Sequence, residues 1–172
     1  MTLQLALLPF RGTDARTVSV LADKLAEKGF TCNLLPEAAV PADVLDRLRG
    51  QYRAERLLDA TKRTAAGRVL GVADVDLYVE GLNFVFGMAE SPGRVAVISL
   101  TRLRLGADEV AFEERMLKEA VHELGHTLGL GHCKRPKCVM FFSNSLADTD
   151  RKGADFCPDC ALSAGSRLPG AG

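Results

Sequence analysis

The sequence is short of several things at once. Its 172 residues include no tryptophan, three histidines and five cysteines, an odd number. Neither sign of charge is in excess, with 22 basic side chains against 22 acidic ones. Without a basic surplus there is nothing to meet a phosphate backbone, so nucleic acid is not an expected partner. No apolar run approaches the roughly 20 residues of a membrane span, so no membrane partner is expected. Nor does any block of like charge or low-complexity tract signal disorder. The run from Met1 to Phe10 is uncharged, and the first charge, Arg11, comes after it. A secretory leader has its positive residues first and a small-residue cleavage site behind its apolar stretch. A buried first strand is therefore the expected reading. Four of the five cysteines crowd between Cys133 and Cys160. Without a leader, that crowding favours metal or redox chemistry over structural disulfides and predicts a cytoplasmic location.

What the chain has is apolar residues, 47% of the total, at a length that suits one domain with one core. Leu3 to Leu8 reads as a strand broken by Pro9 and Gly12. Thr13 or Asp14 can cap a helix to about Lys28, with Val18, Leu21, Leu25 and Ala26 on one face and Gly29 as its stop. Thr31 to Leu35 is a second strand. Residues 37–50 carry turn signals and a short helical pattern at Val44, Leu45 and Leu48, and Ala54 to Lys62 is a further helix. The middle is strand-rich: Arg68 to Tyr78, then Asn83 to Met88, then Arg94 to Leu100 beyond the Ser91-Pro92-Gly93 turn. Asp108 can cap the longest helix, whose apolar stripe is Phe112, Met116, Leu117, Ala120, Val121 and Leu124. Glu113, Glu114 and Lys118 are expected on its surface, and Gly129 stops it just past Leu128. This order predicts an α/β fold, a mixed sheet with helices packed on it. The last dozen residues, 161–172, are expected to fray.

All three histidines fall within eleven residues, in His122-Glu123-Leu124-Gly125-His126 and then His132. Histidines four apart on a helix share a face, so both imidazoles can reach one ion. Glu123 sits beside them, able to work on a water without being a ligand. Gly129 permits a sharp turn that returns His132 as a third ligand. Three imidazoles leave one position open, the arrangement of a catalytic rather than a structural zinc. Ordinary helix histidines are the bland alternative. Against them, the pattern His-Glu-x-x-His-x-x-Gly-x-x-His fixes five identities and uses every histidine in the chain.

Cys133 and Cys138 are separated by four residues, Cys157 and Cys160 by two, and the pairs by 18. That spacing resembles a structural zinc site closed by four thiolates, with a disulfide or redox pair at Cys157 and Cys160 as the alternative. Cys32 is left over, in an apolar stretch, and reads as a buried thiol without chemistry.

The string from His122 to Cys133, then Cys138-Val139-Met140, then Cys157-x-x-Cys160 resembles the archaemetzincins, a metzincin-clan family of zinc metallopeptidases. The stretch Asp76 to Gly87 resembles the same family. Met140, eight residues beyond His132, resembles the Met-turn that floors the zinc site. Some metzincins add a tyrosine ligand two residues further, where this chain has Phe142, so no fifth ligand is expected. The resemblance implies a compact metzincin-like α/β (α+β) domain over residues 1–172. Its parts would be an N-terminal subdomain of about 1–131 and a small C-terminal zinc-knuckle subdomain of about 132–172. It implies a mixed twisted sheet with an antiparallel edge strand along the cleft, assigned by position to Asn83 to Met88. It implies two zinc ions, one catalytic on His122, His126 and His132 and one structural on Cys133, Cys138, Cys157 and Cys160. It implies peptide hydrolysis with Glu123 as general base and acid, of an aminopeptidase-like kind, on peptide or protein substrates; a monomer is expected. The alternative is a zinc-stabilised peptide-binding or regulatory module with a vestigial or very narrow site. An intact Glu123 argues against decay, since a dead site has no chemical need of that carboxylate.

Overall fold

The computed structural model describes residues 2–64 and 67–165. Strand β1 (Leu3–Pro9) leads into helix α1 (Ala15–Glu27), capped by Asp14, whose carboxylate accepts from the Thr17 N–H at 2.9 Å. Then follow β2 (Phe30–Leu34), a 3-10 turn (Ala42–Val44), β3 (Leu45–Asp46), β4 (Gln51–Arg53) and α2 (Ala54–Lys62). The middle holds β5 (Val69–Ala73), β6 (Leu77–Tyr78), β7 (Gly87–Ala89) and β8 (Val95–Ser99). A 3-10 turn (Arg102–Arg104) precedes the long helix α3 (Glu109–Thr127), and α4 (Leu146–Arg151) and α5 (Pro158–Ala164) complete the order.

Five strands form the main sheet in the order β2-β1-β5-β8-β7. The first four run parallel, and β7 lies antiparallel to β8 at the edge. A smaller sheet, β3-β4-β6, flanks it. Every residue of β5 and β8 is buried, as expected of parallel strands covered on both faces. Strand alternation divides their side chains between two layers. Leu70, Val72, Ala96 and Ile98 join α1 and α3 in one apolar cluster, while Val69, Ala73, Val95 and Val97 join α2 in the other. Full burial of each such side chain stabilises the fold by roughly 1.5–3 kcal/mol. Helix α2 comes so close that a β-carbon on Gly71 would stand 2.6 Å from Thr61 Oγ1.

Four expectations are corrected. The helical pattern at residues 37–50 is a 3-10 turn followed by a two-residue strand, and Leu48 is wholly exposed. Asp46 Oδ1 accepts from the N–H groups of Leu48 and Arg49, and this local turn outcompetes a helix. The edge strand expected over Asn83 to Met88 starts to pair only at Gly87. Upstream, the Asn83 carbonyl is occupied by Gln51 Nε2 at 2.8 Å and by Arg49 Nη2 at 3.2 Å, which hold the chain out as a loop. Lys118, expected on the surface, is buried, and its ammonium donates to the carbonyls of Thr149 and Asp150 in α4. Ala161 to Ala164, expected to fray, belong to α5, and residues 166–172 lie outside the described residues.

Candidate metal centre

Helix α3 supplies most of the site. Asp108 caps it, accepting from the Ala111 N–H at 2.8 Å, and its last two turns run beneath the edge strand β7. The i, i+4 spacing brings the rings of His122 and His126 to a centroid distance of 4.7 Å. The helix ends at Thr127, where the Gly129 N–H donates to the His126 carbonyl at 2.9 Å and the Leu130 N–H to the Gly125 carbonyl at 3.1 Å. Gly129 holds φ at 88°, a left-handed conformation that glycine adopts without steric cost. This reversal returns His132, whose ring centroid stands 5.4 Å from that of His122 and 4.9 Å from that of His126. One ring nitrogen from each of the three lies within 4.8 Å of the others.

The hydrogen bonds show which nitrogens are free. His122 Nδ1 donates to the Val139 carbonyl and His126 Nδ1 to the Leu130 carbonyl, both at 2.8 Å. A carbonyl can only accept, so Nδ1 carries the proton in each and Nε2 holds a lone pair. These two Nε2 atoms face each other 3.1 Å apart. Two lone pairs at that distance repel unless a cation lies between them. The separation is close to the roughly 3.3 Å edge of a tetrahedron of nitrogens about 2.05 Å from zinc. Burial holds His122 well below its ordinary pKa, with the charge of Lys152 adding to it, and burial likewise lowers His126 and His132. The donor set is neutral imidazole, the form that binds a metal.

Glu123 is buried against the edge strand. A β-carbon on Gly87 would stand 2.7 Å from Glu123 Cγ and 2.9 Å from Oε1. Burial, and then the charge of Glu119, pushes its pKa well above the ordinary carboxylate value, against the opposing charge of Lys152. A cleft of about 450 Å³ opens over Glu123 and the three histidines. Leu82, Phe84, Phe86 and Phe142 form apolar walls, and the Phe142 ring lies 4.8 Å from that of His132. Met140 is fully buried beneath α3, and a β-carbon on Gly125 would collide with its sulfur. The Cys133 N–H donates to the Met140 carbonyl at 2.9 Å, joining the segment after His132 to Met140.

The four clustered cysteines are also brought together, with their sulfurs within 4.8 Å of one another. Cys133 and Cys157 Sγ are 3.8 Å apart, much too far for a disulfide at about 2.05 Å. That distance matches the roughly 3.8 Å edge of a tetrahedron of sulfurs about 2.3 Å from zinc. The Cys160 N–H at the start of α5 helps to lower the Cys157 thiol to about 7, while burial pushes Cys138 and Cys160 up. Cys32 lies apart on β2, half-buried, its thiol pushed up to about 11 by burial and then by Asp23.

Sequence reasoning missed two buried charges behind His122. Glu119 and Lys152 form an ion pair at 3.0 Å. Glu119 was within reach, being three residues before His122 and four before Glu123 on the same face. Lys152, a lone lysine in a polar stretch, carries no such signal.

The profile of peptidase family M54 matches residues 21–164. The archaemetzincin of Methanopyrus kandleri is 52% identical over 126 residues, covering 72% of this chain and 71% of that protein. That of Methanocaldococcus jannaschii is 39% identical over 165 residues, covering 93% and 92%. Among solved structures, the M. kandleri archaemetzincin superposes with a TM-score of 0.84 at 42% identity, over 95% of this chain and 93% of that one. The archaemetzincin of Archaeoglobus fulgidus complexed with malonate gives 0.85 at 40% identity, over 94% and 99%. The chain therefore belongs to peptidase family M54, the archaemetzincins, and is a zinc metallopeptidase.

Proposed function

We propose that His122, His126 and His132 hold a catalytic zinc, that Glu123 is the general base and acid, and that the protein cleaves peptides bound along the edge of β7. The observation that carries this reading is the convergence of two Nε2 lone pairs 3.1 Å apart in a cleft whose neighbouring carboxylate is Glu123. Zinc bound there supplies Lewis acidity, polarising a carbonyl and making water acidic enough to ionise near pH 7. Glu123 takes the proton of the attacking water and returns it to the departing amine. Its place on α3, next to His122 and lining the same cleft, suits it to both tasks. Among the described residues the outer edge of β7 has no strand partner in the sheet, and it borders the cleft, so an extended peptide can add to it as a further strand.

A second zinc belongs to Cys133, Cys138, Cys157 and Cys160, where it fastens the segment that carries His132 and Met140. Metal content tests both assignments. The wild-type protein should hold two zinc ions per chain, and His126→Ala and Cys157→Ser should each hold one. A wild-type protein with a single zinc, unaffected by His126→Ala, would overturn the catalytic assignment.

Aminopeptidase-like trimming is favoured by a carboxylate free to receive the substrate's α-amine. The carboxylates lining the cleft, among the described residues, are Glu119 and Glu123, and Glu119 is committed to Lys152. That pairing supports cleavage independent of a free amino terminus. Cleavage of peptides with free but not blocked amino termini would establish the trimming activity instead.

A further inference from the structure

Glu119 stands one turn before Glu123 on α3, is 3% exposed and borders the same cleft. Its Oε1 accepts from Lys152 Nζ at 3.0 Å and from Thr149 Oγ1 at 3.2 Å. The Lys152 side chain is fully buried, and its Nζ also lies 3.4 Å from both the Phe141 carbonyl and His122 Nδ1. An ammonium this deep persists only when an acid holds it, and a carboxylate this deep only when a cation does.

The chain around Lys152 is strapped to the cysteine cluster. The Gly153 N–H donates to the Lys137 carbonyl at 2.9 Å, and a β-carbon on Gly153 would stand 2.9 Å from that same oxygen. The Val139 N–H donates to the Asp155 carbonyl at 3.0 Å, and the Cys157 N–H to Cys138 Sγ at 3.3 Å. The strapped segments thus present two groups to the last turns of α3: the Val139 carbonyl to His122, and the Lys152 ammonium to Glu119.

We propose that Lys152 is a positioning residue for the histidine centre. By holding Glu119 as its ion pair, it keeps that carboxylate out of the site and leaves Glu123 to act on substrate. It also ties this arrangement to the cysteine cluster. The proposal rests on His122, His126 and His132 being the catalytic-metal ligands. Without Lys152, the Glu119 carboxylate must take up a proton, draw in water or swing toward the metal, and each outcome disturbs the centre. Removing both charges together leaves no lone ion behind.

The test compares zinc-loaded wild type with Lys152→Met, Glu119→Gln and the double variant. The readouts are kcat and KM on a cleaved peptide, zinc affinity of the histidine site by chelator competition, and the visible bands of the cobalt-substituted protein. Lys152→Met should lose about 10- to 100-fold in kcat and in zinc affinity, with KM little moved and the cobalt bands altered. The double variant should return to within about tenfold of wild type, because the two effects are coupled. Lys152→Met with wild-type kcat, zinc affinity and cobalt bands overturns the proposal, whatever its melting temperature. A double variant as impaired as Lys152→Met, or unable to fold, overturns it too. If Lys152→Met alone does not fold, the double variant decides by the same criteria. Zinc content separates this failure from that of the underlying reading. A His126→Ala variant that keeps as much zinc as wild type contradicts the histidine centre itself, whereas an intact centre indifferent to Lys152→Met contradicts the lysine's role alone.

Discussion

Met140 fills the space that a side chain on Gly125 would need. Its sulfur would clash with a β-carbon there, and Phe156 Cε1 stands 2.9 Å from that point. Glycine inside a helix ordinarily costs about 1 kcal/mol relative to alanine. Here overpacking, at about 1–3 kcal/mol, outweighs that gain. Gly125→Ala should therefore lower the melting temperature of the zinc-loaded protein, and a rise would show that Met140 can move aside.

Gly87 stands in the same relation to Glu123. A β-carbon there meets the glutamate side chain and, at 2.7 Å, the Val97 carbonyl oxygen, which cannot yield because it belongs to β8. Gly87→Ala should displace the carboxylate and lower kcat by about 10- to 100-fold while zinc content is unchanged. Steady-state kinetics beside metal analysis checks both halves.

The Arg115–Asp150 pair fastens α4 to α3 through two hydrogen bonds, at 2.6 Å and 2.8 Å. The Arg115 guanidinium holds Asp150 below its ordinary pKa. A depressed folded-state pKa stabilises the protein above the unfolded value, near pH 4, and that stability is lost as pH falls through the folded value. Asp150 is 48% exposed, so solvent screening limits the pair to about 1 kcal/mol. Asp150→Asn should destabilise the protein at pH 7, and its deficit should shrink on acidification below pH 4. Urea unfolding of both proteins at two pH values measures this.

The thiols should divide into two classes. With Cys32 pushed up to about 11, it is protonated at pH 8 and slow toward alkylating reagents. The zinc-loaded protein should expose no fast thiol, and a chelator should release four. Fast labelling before chelation would contradict a metal at the cysteine cluster.

Both candidate metal-binding groups were legible in the sequence because each is written in local spacing. His122 and His126 lie one helical turn apart, Gly129 marks the reversal that returns His132, and the cysteines come as two short pairs. The sheet was legible where its strands are buried on both faces, as at Val69–Ala73 and Val95–Ser99. Side-chain bonds to the backbone, both local and long-range, and buried ion pairs decided the rest. Leu48 is turned outward by a carboxylate two residues away, and β7 is shortened because side chains of Arg49 and Gln51 capture the Asn83 carbonyl. Lys118 and Lys152 are buried by carbonyls and an acid on other segments. Composition assigns such lysines to the surface, and only the tertiary fold brings them partners.

Glu123 is the proposed general base and acid, and one comparison tests that role most directly: kcat/KM of Glu123→Gln against wild type, each with its zinc content measured on the same preparation. General acid–base catalysis contributes about 10²- to 10⁴-fold, so the variant should keep its zinc and lose at least about 100-fold in activity. A variant that keeps both its zinc and its full activity would contradict the mechanism.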